Sequence, residues 1–285
     1  MRKCPVAKCI LLFLAVSLFS FSNSLLAEET GSTSGVNAGS EGGSEDLAKK
    51  LQNPVADLIS VPLQDNWDYG IGPANALRHT LNIQPVIPIT LNEKWNVISR
   101  TILPIIHAEP PLQGLGLRDK DGLGDTLQSL FFSPTAPTSG GWIWGVGPAL
   151  VFPSATEDGL GGEKFAVGPT GVALRQDSGW TYGALANQLW SYAGNGSRDE
   201  ISRMFLQPFL SYTTKTATSF GINTESTYDW EESQWTVPIN LQLSQVLKIK
   251  GQPLSVGVAG REYAERPDGG PDWGLRFILT LLFPK

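Results

Sequence analysis

Apolar and polar residues alternate along most of the chain after residue 54. At the C-terminal end, every odd position from Trp273 to Phe283 is apolar, whereas the even positions between them are mixed. Successive side chains of a β-strand point to opposite faces, so this pattern predicts a strand with one wholly apolar face. The alternation recurs in about twelve runs, near 54–69, 77–91, 94–107, 124–134, 141–153, 164–176, 179–193, 201–214, 217–230, 234–248, 252–265 and 271–283.

The length of these runs distinguishes between two kinds of β-protein. Strands of soluble proteins average about 5–6 residues, whereas strands that cross a membrane need about 9–11. The runs are as long as membrane strands, and their outer face is apolar. We therefore predict an all-β fold, a transmembrane antiparallel up-and-down β-barrel of about 12 strands. Aromatic residues lie at the run ends, as in the interfacial girdles of such barrels: Trp95, Trp142, Trp144, Trp180, Tyr182, Trp190, Tyr192, Tyr228, Trp230, Trp235 and Trp273.

The links between runs alternate between short and long, which is typical of a barrel with short periplasmic turns and longer outer loops. With an even number of strands, both chain ends fall on the periplasmic side. A secreted β-sandwich is the soluble alternative, and prolines favour it because each one removes a hydrogen bond from the ladder. The pattern does not explain the prolines inside the predicted strands: Pro85, Pro88, Pro104, Pro148, Pro169, Pro208 and Pro238.

The N-terminal segment has a different character. A basic start and a short apolar stretch of about thirteen residues, too short for the ~20 of a spanning helix, predict a secretory signal peptide over residues 1–27. Residues 28–52 are predicted to form a flexible periplasmic tether, with one short helical turn over 46–51 capped by Ser44. The barrel is then expected over residues 53–285.

The composition of the chain bears on its partners and cofactors. The chain has 21 Lys and Arg against 27 Asp and Glu, a net charge of −6. Nucleic acid is not expected as a partner, because phosphate binding needs a surplus of basic residues. Both cysteines, Cys4 and Cys9, lie in the predicted signal peptide. No run of residues predicts a metal site, and no cofactor is expected.

Charged residues on the inward positions of the predicted strands are the candidate functional residues. The positions that alternate with the apolar ones should point into the lumen. Arginines at such positions lie on the second, third, eleventh and twelfth runs, which share one wall of the closed barrel. Acidic residues of the ninth run face them. Such opposed charges would create a transverse field that selects solutes; the alternative is that they pair and close the lumen. The predicted selectivity residues are Arg78, Arg100, Arg261, Arg276, Glu225, Asp229, Arg203 and Gln207.

Catalysis is not expected from this sequence. A serine hydrolase needs a serine, a base and an orienting acid, and the chain has only two histidines. His79 has outward parity and is interpreted as an interfacial anchor, although a lipid-modifying enzyme built around it is an alternative. His107 opens a long loop and is interpreted as a solvated residue.

Four stretches resemble the outer-membrane channel family associated with the phenol-degradation meta pathway: residues 142–150 (WIWGVGPAL), 180–190, 205–215 and 223–230. The resemblance extends over nearly all of residues 50–285. It implies an outer-membrane barrel of about this size, without identifying a solute or a catalytic or binding residue.

The function predicted from these observations is passive diffusion of small, anionic or aromatic solutes across the outer membrane of a Gram-negative cell. A non-conducting structural or surface-display barrel is the first alternative. The expected partners are outer-membrane lipids, a small solute, and the barrel-assembly machinery, which would bind the C-terminal strand 273–283.

Overall fold

The computed structural model describes residues 39–112 and 117–284, which belong to the second of two units, residues 38–285. The predicted signal peptide and residues 28–38 of the predicted tether lie outside the described residues. The described part contains a helix, α1 (Gly39–Leu51), and the strands β1 (Ile59–Ile71), β2 (Ala76–Ile83), β3 (Val86–Asn92), β4 (Trp95–Ala108), β5 (Lys120–Leu123), β6 (Thr126–Pro134), β7 (Trp142–Phe152), β8 (Lys164–Asp177), β9 (Trp180–Gly194), β10 (Ser202–Thr213), β11 (Thr218–Thr224), β12 (Ser226–Asp229), β13 (Gln234–Ile249), β14 (Gln252–Glu265) and β15 (Trp273–Phe283).

These strands form one closed antiparallel barrel. Each pairs with its neighbours in chain order, and β15 pairs with β1 along eleven residues to close the sheet. Three positions in the wall are each shared by two short strands, β2 with β3, β5 with β6, and β11 with β12. The barrel therefore has 12 strand positions, which confirms the prediction.

Prolines explain the interruptions. Glu225 separates β11 from β12, and the register on either side places Pro208 of β10 and Pro238 of β13 beside this break. Proline has no N–H to donate, so the ladder cannot be continuous there. Pro85 lies between β2 and β3, and Pro104 lies opposite the break between β5 and β6.

Two further prolines leave gaps in the ladder without breaking a strand. Pro148 of β7 and Pro169 of β8 face each other. Each of these two strands also has a second neighbour, β6 for β7 and β9 for β8. In both cases the pairing with that neighbour is interrupted for two residues at the proline and then resumes in the same register. The chains remain close across both gaps, because each proline follows a glycine.

The glycines before these prolines are required for this close approach. A Cβ at Gly147 would overlap the carbonyl oxygen of Leu130, and one at Gly168 would overlap that of Gln188. We expect Gly168→Ala to lower the free energy of unfolding by about 1–3 kcal/mol, as overpacking does, measured by urea titration in detergent. Gly196→Ala is the control, because a Cβ there meets nothing within 4 Å; equal stability of the two variants would contradict the prediction.

The two ends of the barrel differ. The turn end has the short links and both ends of the barrel sheet, since Ile59 pairs with Phe283. Two of its hairpins, at Ser178–Gly179 and Lys250–Gly251, have positive φ at both central residues, as type I′ turns do. The loop end has the longer links, between β4 and β5, β7 and β8, β9 and β10, and β14 and β15.

The outer face is apolar, as the alternation predicted, and it has aromatic residues near both ends. At the turn end, Trp142 contacts Tyr182 with ring centroids 6.2 Å apart. At the loop end, Tyr69 stacks on Trp273 at 4.5 Å. Two aromatic girdles of this kind are typical of a barrel in a bilayer. Within the described ranges, α1 does not have the length and hydrophobicity of a membrane-spanning helix.

Helix α1 packs against the inner wall at the turn end. Ala48, which is 1% exposed, packs with Val246 and Leu282, both on inward faces of the wall. The Gln176 amide donates a hydrogen bond to the Lys49 carbonyl oxygen at 2.8 Å. The helix is longer than the single turn predicted from the sequence, and Ser44 lies inside it rather than at its N-cap. The prediction of a single turn was wrong because the turns before position 46 consist of Gly, Ser and Glu residues, which no apolar pattern marks as helical.

Candidate functional site in the barrel lumen

Glu225 is the centre of an ionic cluster that joins separate parts of the wall. Arg276 of β15 donates to both carboxylate oxygens, with Nη1–Oε1 at 2.8 Å and Nη2–Oε2 at 2.6 Å. Arg261 of β14 adds a bond from Nη2 to Oε2 at 3.1 Å. The arginine side chains are only 4% and 8% exposed. A bidentate arginine–carboxylate pair is strong and directional, so Glu225 holds β15 and β14 against the break between β11 and β12.

The other donors of these arginines are also satisfied. Arg261 Nη1 lies 3.2 Å from Asp68 Oδ1, which accepts a second bond from the Tyr263 hydroxyl at 2.9 Å. Arg276 Nε donates to Asn66 Oδ1 at 2.6 Å. With two guanidinium groups and two carboxylates, the cluster is neutral as a whole.

The two remaining lumen arginines have a different environment. Arg100 Nη2 donates to Gln84 Oε1 at 3.0 Å, and the Gln84 amide in turn donates to Gln64 at 2.7 Å. Arg78 lies opposite Asp68 in the register of β1 and β2. Among the described residues, no carboxylate oxygen lies within 4.0 Å of the guanidinium group of either arginine. Arg78 and Arg100 therefore give the lumen a local excess of positive charge.

The other predicted residues make none of the cluster's ion pairs. Arg203 pairs with Asp229 at 2.8 Å, and its side chain is 52% exposed near the loop end. Gln207 lies on β10 beside the break at Glu225. The exposed pair contributes little to the stability of the fold.

A further ion pair, between Lys164 and Glu200, orders the loop between β9 and β10. Lys164, at the start of β8, donates to Glu200 Oε1 at 2.7 Å, and the Ser191 hydroxyl donates to Glu200 Oε2. These bonds hold the pKa of Glu200 below its ordinary value, with the bond from Lys164 as the larger cause.

The half of the lumen near the turn end is filled by apolar side chains. Phe131 and Ile98 are fully buried, and so is Leu174, three residues before β8 ends. The buried members of this cluster leave little room for water, whereas the partly buried side chains packed around them keep some apolar surface that an organic solute could contact. The members of the cluster are Val55, Ile98, Phe131, Val172, Leu174 and Leu185, with Val86, Ile143, Phe205 and Phe209 packed around them.

Three buried polar atoms near this apolar cluster have no hydrogen-bond partner within the described part of the chain. They are Asn96 Oδ1, Asn187 Oδ1 and Ser211 Oγ, on strands β4, β9 and β10. Buried polar atoms normally have partners, so each of these three is a position where an ordered water would supply the missing bond.

Glu225, Arg261 and Arg276 lie inside the barrel and pair with one another, as in the alternative to a transverse field, and they are not separated across the lumen. The two arginines reach Glu225 because their side chains are long: only β13 lies between Glu225 and the strand of Arg261, and β13 and β14 lie between Glu225 and the strand of Arg276. Asn66, Asp68 and Tyr263 complete the cluster and were not predicted. The signal available in the sequence was that they occupy the alternate strand positions that face the lumen.

The histidines are both bonded to carboxylates. His79 lies on the outer face, as predicted, and its Nε2 is hydrogen-bonded to Asp65. No serine hydroxyl of the described residues is hydrogen-bonded to it. His107 lies in β4 opposite His79 rather than in a loop, and its side chain is solvent-accessible, 35% exposed, with Nδ1 2.8 Å from Asp121 Oδ1. Strand β4 ends at Ala108, one residue beyond the predicted run 94–107, and β5 pairs with its end.

No known protein family matches the sequence, and no curated protein matches it. Solved structures do. The COG4313 outer membrane channel from Pseudomonas putida F1 matches with a TM-score of 0.62 and 14% identity, covering 79% of this chain and 94% of that one. The outer membrane phospholipase A from Escherichia coli has a TM-score of 0.44, 8% identity and coverages of 84% and 97%. Pseudomonas aeruginosa OpdK with vanillate has a TM-score of 0.25, 9% identity and coverages of 79% and 98%. The first match shows that the chain has the fold of an outer-membrane β-barrel.

Proposed function

We propose that the protein is an outer-membrane channel through which small organic anions diffuse passively. The observation that carries this proposal is the pair of lumen arginines without carboxylate partners, Arg78 and Arg100. In a narrow lumen with low-dielectric walls, uncompensated charges concentrate ions of the opposite sign.

The apolar part of the lumen refines the class of solute. A small aromatic acid would present its carboxylate to Arg100 and its ring to the partly exposed apolar side chains beside Phe131, such as Phe205 and Phe209. The unpartnered oxygens of Asn187 and Ser211 would meet accompanying water. This division between a charged region and an apolar region supports aromatic acids over inorganic anions as the preferred solutes.

Selectivity is the direct test of the arginines. We expect Arg100→Ala to lower the anion-to-cation permeability ratio by up to about fivefold, because a unit charge about 4 Å from an ion is worth about 1 kcal/mol in water. The measurement is the reversal potential of single channels in a KCl gradient. Arg118→Ala is the control, since Arg118 is 86% exposed. Equal reversal potentials for wild type and Arg100→Ala would reject the proposal.

The orientation of the barrel in the outer membrane and its insertion there follow from the same proposal. The turn end, with α1 and the final residues of β15, would face the periplasm, and the loop end would face the outside. Strand β15 has the bounds expected for the segment recognised by the barrel-assembly machinery, residues 273–283. Residues 1–27 would direct export.

One observation favours the alternative of a non-conducting structural barrel. Helix α1 at the turn end and the ionic cluster around Glu225 together narrow the lumen at two levels. If α1 remains in place under all conditions, the barrel would serve as a rigid membrane element. Bilayer recordings with and without α1 distinguish the two functions, because a structural barrel gives no current steps in either form.

A further inference from the structure

Asp65 is a carboxylate on the outer, membrane-facing wall. It shares the outward side of β1 with Leu63 and Trp67, and the register places it directly between Phe277 of β15 and Leu81 of β2. Phe277 is 50% exposed, so this part of the wall faces outward. An ionisable side chain among lipid-facing residues is costly and marks a functional site by default.

The carboxylate belongs to a small hydrogen-bonded group. Trp67 Nε1 donates to Asp65 Oδ2 at 2.9 Å, and His79 Nε2 is bonded to Asp65 Oδ1. The ring of His79 lies against that of Trp67, with centroids 4.6 Å apart. Asp65 and His79 keep 31% and 29% of their side chains exposed. In the part of the chain that is described, His79 Nδ1 has no partner, so the group can still bond to a ligand.

This group forms one end of a groove in the outer wall. The groove has a volume of about 840 Å³ and crosses β2, β1, β15, β14, β13 and β11. Five strand spacings correspond to about 24 Å. Thr218 and Gln245 form its other end, beside the turn between β10 and β11. Its apolar floor is formed by Leu81, Leu243, Val256, Val258, Phe277 and Leu279.

The groove follows the depth of the bilayer. His79 lies near the loop end of its strand, whereas Thr218 is the first residue of β11 at the turn end. Because barrel strands are tilted by about 35–45°, a groove across them is inclined to the membrane and passes from one interface toward the other. An acyl chain that begins at Asp65 could therefore lie along the groove.

We propose that this groove binds one lipid A molecule of the extracellular leaflet, with an acyl chain over Val258 and Phe277. Asp65 lies two residues deeper than Trp67, at the level where acyl chains join the head group. Lipid A has amide N–H and hydroxyl groups there, which can donate to the Asp65 carboxylate and to His79 Nδ1. Glycerophospholipids have only esters at this level, and esters cannot donate a hydrogen bond.

The test is native mass spectrometry of the protein purified from a Gram-negative outer membrane in mild detergent. We expect one lipid A bound to the wild-type barrel. Val258→Trp fills the groove and should remove the bound lipid. Val146→Trp is the matched control, because Val146 is also outward-facing, 51% exposed and on β7, far from the groove. Retention of lipid A by Val258→Trp, or its absence from wild type, would overturn the proposal.

A second variant tests the polar end and remains informative if the tryptophan variant does not fold. Asp65→Leu keeps the groove apolar, and we expect it to lower lipid A occupancy severalfold. Reconstitution of the delipidated wild type with equal amounts of lipid A and phosphatidylethanolamine tests the choice of lipid. Equal retention of the two lipids, or unchanged occupancy in Asp65→Leu, would contradict the role given to Asp65. Neither outcome bears on conduction through the lumen.

Discussion

We expect removal of residues 39–51 to increase the conductance of the barrel severalfold in planar bilayers. Helix α1 packs against the inward residues Val246 and Leu282 and is tied to the wall by the bond from Gln176 to the Lys49 carbonyl. Its removal widens the turn end, so the apolar cluster around Phe131 and the ionic cluster around Glu225 then limit the current. The measurement is the distribution of single-channel current steps.

Ala48→Glu should produce the same opening without a deletion. Ala48 is 1% exposed against the wall, and a carboxylate there must be solvated or expelled. Lys50→Ala is the control, because Lys50 is exposed on the same helix. Step sizes identical to wild type in both the deletion and Ala48→Glu would show that α1 does not limit conduction.

Glu225→Ala should destabilise the barrel more than any other single change in the lumen. It leaves the buried guanidinium groups of Arg261 and Arg276 without their shared carboxylate. The loss of one partner from a buried ion pair costs about 3–5 kcal/mol. The measurement is the urea midpoint of unfolding in detergent, together with the temperature at which the folded band disappears in gel electrophoresis.

Two further variants sharpen this result. Glu225→Gln keeps the shape and one acceptor, and its stability should lie between those of wild type and Glu225→Ala. Glu231→Ala removes a carboxylate from the exposed link between β12 and β13 and should leave stability unchanged. If Glu225→Ala unfolds at the same urea concentration as Glu231→Ala, the cluster does not stabilise the barrel.

The sequence was sufficient to predict the barrel, because alternation is a local property of each strand. The run from Trp273 to Phe283 has the same bounds as β15. The prolines were unexplained because their effect depends on the neighbouring strand. Pro208 and Pro238 interrupt the wall at Glu225, and only the register shows that the three residues lie side by side.

The site was predicted in part for a similar reason. Parity places Arg261, Arg276 and Glu225 inside, but contact between them depends on the stagger of the strands and on side-chain conformation, which no local pattern encodes. Asp65 could have been found from the sequence, since it is the charged residue at an outward position between Leu63 and Trp67. The groove beside it is a property of six strands together.

The central claim is that the closed wall surrounds a path for anions. Single-channel recording of the protein purified from outer membranes tests it most directly, in a KCl gradient and with a panel of aromatic acids. The account predicts discrete current steps, a reversal potential that indicates anion preference, and partial block by aromatic acids. The absence of current steps from both wild type and the variant without residues 39–51, or a preference for cations, would contradict it.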